Sequence, residues 1–164
     1  MPMDKDRINS SPEPSGETGG REYIFIPGRD AGLDAALVGD KTINLLNARS
    51  VGCTVPEFVV IKSTAYGLQK DKLEHIVREA VSGLEKLTGK KLGSVDHPLI
   101  FSIREICSRY IPGYLPTSLC IGMTIEQIPA LKKEIGEQAA IHTYIKALEE
   151  LLRASNPEKE NDIQ

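Results

Sequence analysis

Apolar residues along this chain come in short bursts separated by polar, glycine and proline residues, and the spacing inside each burst predicts an element. Tyr23-Ile24-Phe25-Ile26 is a continuous apolar run stopped by Pro27-Gly28, which predicts a buried strand and a turn. Phe58-Val59-Val60-Ile61, β-branched and aromatic, predicts a second strand ended by Lys62 and Ser63. Pro98-Leu99-Ile100-Phe101-Ser102-Ile103 predicts a third over Leu99 to Ile103, apolar enough to be buried on both faces.

Helical spacing is clearest in Leu73, Ile76, Val77, Ala80, Val81, Leu84 and Leu87, with Gly89 just past the end. A second stripe, Ile141, Tyr144, Ile145, Leu148, Leu151 and Leu152, predicts a final helix closed by Ser155-Asn156-Pro157. Ser63 or Thr64 can cap a short helix through Leu68. Thr124 with Gln127 matches a capping box, although Pro129 removes one hydrogen bond and predicts a late or distorted start. From Cys107 to Met123, prolines, glycines and tyrosines occur without helical or strand period, which predicts a structured loop.

The predicted fold class is α/β (α+β): a small sheet with flanking helices and a helical C-terminal part. With 164 residues, 40% hydrophobic and 26% charged, the chain suits one soluble domain over 21–154. Residues 1–20 read as a flexible leader, and 155–164 as a charged tail. A net charge of −3 and no basic stripe interleaved with aromatics argue against nucleic acid as a partner. Neither a signal peptide nor a membrane span is recognisable, and Cys53, Cys107 and Cys120 are too scattered for a CxxC site, so a reducing cytoplasm is expected. His75, His97 and His142 form no ligand pattern, and no nucleophile elbow occurs. Neither a metal site nor a catalytic residue is assigned.

Candidate chemistry centres on Val38-Gly39-Asp40-Lys41-Thr42-Ile43-Asn44-Leu45-Leu46, where a glycine-led turn is expected to open into an amphipathic helix after a loop from Arg29 to Val38. Ile43, Leu46 and Val51 supply its apolar face, and Gly52 a left-handed end. A helix start stabilises an anion, and Lys41 adds a full charge there. The alternative is that Asp40 is an ordinary N-cap and Lys41 a solvated side chain. Arg104, at the end of the third strand, would approach the same anion if the sheet is an open α/β one. Its alternative is pairing with Glu105.

These motifs, in this order, resemble the N-terminal part of the ATP-binding domain of the pyruvate phosphate dikinase family, over about Glu22 to Leu152. The family's Gly-Gly-Lys-Gly-Ala-Asn-Leu turn is matched by Gly39 to Leu45, with Gly39, Lys41, Asn44 and Leu45 agreeing. Its Val-Pro-x-Phe segment is matched by Val55-Pro56-Glu57-Phe58, and its Thr-Gly-Lys-Lys-x-Gly turn by Thr88 to Gly93. Ser102-Ile103-Arg104 stands where a family arginine contacts nucleotide phosphate, and Ile111-Pro112-Gly113 resembles the loop that covers the phosphates. The departures are Asp40 and Thr42 in place of glycines, and Glu105 and Ile106 in place of a small pair beside Arg104.

The resemblance implies the N-terminal subdomain of an ATP-grasp fold, with Lys41, Arg104, Gly39, Pro112 and Gly113 as nucleotide-binding residues and ATP as the ligand. In that fold the nucleotide lies between two subdomains. The adenine-binding segment, the acidic residues that hold magnesium, the phosphorylatable-histidine domain and the pyruvate barrel fall beyond the matched part. Magnesium is therefore expected only with those segments or a partner supplying them, and kinase (phosphotransferase) activity is not expected of the chain alone. Two functions remain: a nucleotide-binding module, vestigial or half of a split enzyme, or a pseudoenzyme-like interaction protein that kept the fold and lost the site. Its partner would be a complementary or full-length dikinase chain, or a second copy.

Overall fold

A computed structural model describes residues 22–30, 32–105 and 117–155. The elements run β1 (Ile24–Phe25), α1 (Ala35–Ser50), β2 (Val60–Ile61), α2 (Lys70–Thr88), β3 (Phe101–Ile103), β4 (Ser118–Ile121), α3 (Ile128–Ile135) and α4 (Glu137–Ser155). The fold is mixed α and β, as expected. The leader 1–20 and most of the tail lie outside the described residues.

The elements gather around separate apolar clusters. Ile24 and Ile26 pack with Ile76 and Ala80 of α2, and Phe25 with Val38 and Val60, so the β1–β2 ribbon is covered by α2 on one side and α1 on the other. Alternation along a strand imposes this division, since successive side chains point to opposite faces. A further cluster joins Met123, Leu131, Ala140 and Ala147, seating α3 and α4 against β4. The two groups are tied through the connector after α2. Gln127, 1% exposed, donates from Nε2 to the Ser94 carbonyl at 3.1 Å, while its Oε1 accepts the Thr124 N–H at 2.9 Å. Lys90 Nζ pairs with Glu134 at 2.5 Å.

Several expectations need correction. The strands pair antiparallel in two separate two-stranded sheets, β1 with β2 and β3 with β4, so among the described residues there is no open parallel sheet whose carboxyl edge could place Arg104. β2 begins at Val60, two residues after the expected start. β3 begins at Phe101, and instead of being buried on both faces it is half-buried at Phe101 and exposed at Ser102 and Ile103, with β4 as its one strand partner among the described residues. β4 falls inside the stretch expected to be a loop; a register shift and the left-handed Cys120 (φ 54°) erase its alternation from the sequence.

Among the helices, α2 ends at Thr88 with Gly89 left-handed (φ 68°) as its cap, as its spacing predicts. Gly52 is likewise left-handed (φ 88°) just after α1. The short helix after Ser63 is only a 3-10 turn, Ser63–Ala65, without a side-chain cap. The capping box at Thr124 and Gln127 is formed, and Pro129 is accommodated in the first turn of α3, where its missing N–H costs least. α4 departs most from expectation: its buried residues are Ala140 and Ala147, and the aliphatic stripe is largely exposed.

Candidate functional site

The stretch around Gly39 is not a loop opening into a helix. Helix α1 has already begun at Ala35, capped by Asp34, whose Oδ1 accepts the Ala36 N–H at 3.0 Å. Asp40 is therefore not the N-cap of α1, and the expected loop ends at Asp34. Sequence reading missed this cap, although an aspartate ahead of Ala-Ala-Leu-Val is an ordinary helix signal.

Gly39 nevertheless breaks the helix. Its backbone sits at φ 75° and ψ 159°, a region open essentially to glycine, so α1 consists of a short run up to Val38 and a longer one from Asp40. Val38 is buried against Phe25 and Val60, and Thr42, also buried, donates its hydroxyl to the Val38 carbonyl at 2.7 Å across the break. Asp40 and Lys41, both exposed, thereby stand in the first turn of the second run.

Arg104, also exposed, follows β3 in the other group of elements. It forms no ion pair with Glu105, and neither the Arg104 nor the Lys41 side chain has a hydrogen bond or ion pair to another described residue. No such bond and no shared core cluster links the two. Pro112 and Gly113 lie outside the described residues.

The other shared motifs are ordered connections between elements. Arg49, near the end of α1, donates to the carbonyls of Val55 (3.3 Å) and Pro56 (3.2 Å), pairs with Glu57 at 3.4 Å and lies over the Phe58 ring at 5.6 Å. One guanidinium thus organises the whole Val-Pro-Glu-Phe segment, a role that only a three-dimensional arrangement reveals. After α2, the Thr88 hydroxyl accepts the Lys90 N–H at 3.2 Å, Glu85 accepts the Leu92 N–H at 2.9 Å, and Gly93 is left-handed (φ 78°). Lys90 is engaged by Glu134, which leaves Lys91 as the exposed cation of this turn.

Electrostatic perturbation is modest. Beside the first strand, the Arg29 guanidinium holds the Asp30 carboxyl below its usual 3.8, helped by the Ile26 N–H donated to it at 2.7 Å. Burial pushes the Cys120 thiol up. Cys53 is exposed and unpaired with any other described cysteine, and Cys107 lies outside the described residues. Among the described residues no three His, Cys, Asp or Glu side chains converge as a metal site, and no helix is long and apolar enough to cross a membrane. A shallow recess at the α3–α4 junction, lined by Ile135, Gly136, Glu137 and His142 among others, includes none of the candidate residues.

No family model matches the chain. It is 29% identical over 124 residues to pyruvate, phosphate dikinase of Rhizobium meliloti (strain 1021), covering 70% of this chain and 14% of that protein. It is 29% identical over 138 residues to the chloroplastic enzyme of Mesembryanthemum crystallinum, covering 79% of this chain and 14% of that one. With the Clostridium symbiosum enzyme it shares 29% over 107 residues, or 61% of this chain and 12% of that protein. The chain is thus distantly similar, over most of its own length and 12–14% of theirs, to pyruvate phosphate dikinases of bacteria and plants.

Proposed function

We propose that this chain is a nucleotide-phosphate-binding module related to the N-terminal ATP-binding region of pyruvate phosphate dikinases, and inactive as a phosphotransferase alone. Lys41 and Arg104 are its phosphate-contacting cations, facing one cleft, with Gly39, Pro112 and Gly113 shaping the backbone around them. The observation that carries this reading is the break at Gly39. A glycine-only conformation inside a helix costs stability, and here it creates a second helix start with Lys41 in its first turn, inside a segment that shares four residues with the family's phosphate turn. Glycine takes this conformation without strain, and a glycine at such a break lets a ligand approach the backbone closely.

Binding by this module is weak. Lys41 and Arg104 are exposed, so each phosphate contact contributes about 1 kcal/mol or less, and Asp40 and Glu105 repel the same charge. Two such contacts supply about 2 kcal/mol or less, which corresponds to a dissociation constant on the order of tens of millimolar for ATP. Tight binding, magnesium and turnover would require the opposing subdomain, from a longer or complementary dikinase chain. Calorimetric titration with ATP, with and without magnesium, tests this. Weak binding lost in Lys41→Ala and in Arg104→Ala supports it; no heat up to tens of millimolar ATP, or binding indifferent to both substitutions, overturns it.

The exposed aliphatic face of α4 favours a second reading, an interaction protein in which the phosphate site is vestigial.

A further inference from the structure

The chain between α2 and β3 divides the molecule at one residue. Lys91 donates its N–H to the His97 carbonyl at 2.9 Å, and its own carbonyl accepts the Leu99 N–H at 3.0 Å. The Ser94 carbonyl is held by Gln127 at 3.1 Å, and the Leu92 side chain lies against Gly122 at the end of β4. Residues 91–98 therefore belong with β3, β4, α3 and α4 in one lobe, whose core is Met123, Leu131, Ala140 and Ala147. Residues 22–88 form the other, with Ile24, Ile76 and Ala80 on one side of β1 and Phe25, Val38 and Val60 on the other. None of the three apolar clusters of the described residues spans both lobes. Gly89 joins them, left-handed at φ 68° and with open space where a Cβ would stand.

Two side-chain bonds cross this joint. Glu85 of α2 accepts the Leu92 N–H at 2.9 Å, so the first lobe grips the second directly. Lys90, whose N–H is held by the Thr88 hydroxyl at 3.2 Å, pairs through Nζ with Glu134 of α3 at 2.5 Å. Both bonds lie at the surface, where such interactions are individually weak and reversible. Lobes that do not share an apolar core move relative to one another unless other contacts hold them.

We propose that Gly89 is a hinge latched by Glu85 and Glu134. With both bonds made the lobes keep one angle; with both broken the second lobe turns about Gly89. The latch needs no ligand. Because Lys41 stands on the first lobe and Arg104 on the second, it also sets the separation of the two cations of the proposed phosphate site, and this consequence alone rests on that reading.

Double electron–electron resonance without any nucleotide tests the latch, so its outcome is independent of phosphate binding. Nitroxides are placed on Cys53, exposed beyond α1, and on the exposed α4 position of His142→Cys, in a chain carrying Cys107→Ser and Cys120→Ser. One narrow distance distribution is expected with the latch intact. Glu85→Ala combined with Glu134→Ala should broaden it about twofold with unchanged circular dichroism, and each single substitution should broaden it by a smaller step. Glu74→Ala, which removes an exposed ion pair with Arg78 inside α2, should leave it unchanged. A broad distribution with the latch intact, no broadening in the double or either single variant, or equal broadening by Glu74→Ala overturns the proposal.

Discussion

Replacing Gly39 by alanine gives a result whose sign depends on the backbone geometry. In a regular helix interior, alanine is more stable than glycine by about 1 kcal/mol, so a continuous α1 would be strengthened by the change. At φ 75° and ψ 159°, the added Cβ instead forces the chain into a conformation that costs about 1–3 kcal/mol. Reduced freedom of the unfolded chain returns about 0.4–1 kcal/mol of this, leaving a net loss of about 1–2 kcal/mol. Val38 and Thr42, buried on either side of the break, prevent α1 from relaxing into a straight helix without moving the Phe25 and Val60 contacts. For a domain of this size the melting temperature should fall by about 3–6 °C. Thermal and urea unfolding followed by circular dichroism read this directly, with exposed Asp40→Ala as the control. A rise in melting temperature for Gly39→Ala would refute the broken helix and, with it, the second helix start at Lys41.

Gln127→Leu should cost about 1–3 kcal/mol in urea titrations, because it strands the Thr124 N–H and the Ser94 carbonyl that tie α3 to the connector after α2. Gly122→Ala should destabilise the β3–β4 end of the molecule: its Cβ would lie 2.6 Å from Leu92 Cδ1 and 2.8 Å from the Leu99 carbonyl oxygen, at a left-handed φ of 88°. Hydrogen exchange should then show β4 amides opening sooner than those of α2. Asp30→Asn should cost about 1 kcal/mol at neutral pH. Since the folded carboxyl titrates below its usual 3.8, its contribution is complete above that pH and disappears as pH falls through the lowered value. Urea midpoints of the two proteins should therefore converge in acid; a constant difference down to the lowest pH would remove the charge from the explanation.

How far the fold was legible in the sequence follows from where the signals were local. Gly89 ends α2 and the Thr124–Gln127 box starts α3 through interactions within a few residues, so both were readable. The strand near Ile24 was readable too, because a short apolar run next to Pro-Gly has few other uses. Pairing was not. Phe101 to Ile103 carries the composition of a buried central strand but has a single strand neighbour among the described residues, and that neighbour was hidden by the register shift at Cys120. In α4 the alanines win the core positions because small side chains let the helix approach β4 and α3 closely, leaving the larger aliphatics outside; a spacing rule cannot choose between two apolar rows. At the candidate site, the sequence led to a glycine turn opening a helix, whereas Gly39 interrupts a helix that has already begun. The helical turn before it was missed, because Asp34 was not weighed as a cap.

Chemical-shift mapping on the isotopically labelled chain during ATP addition tests the phosphate site most directly. The account predicts shifts concentrated at Gly39 to Thr42 and at Ser102 to Glu105, rising together with a midpoint on the order of tens of millimolar and reduced in both segments by either Lys41→Ala or Arg104→Ala. Shifts confined to one segment, shifts elsewhere on the molecule, or none at all would contradict a phosphate site shared by Lys41 and Arg104.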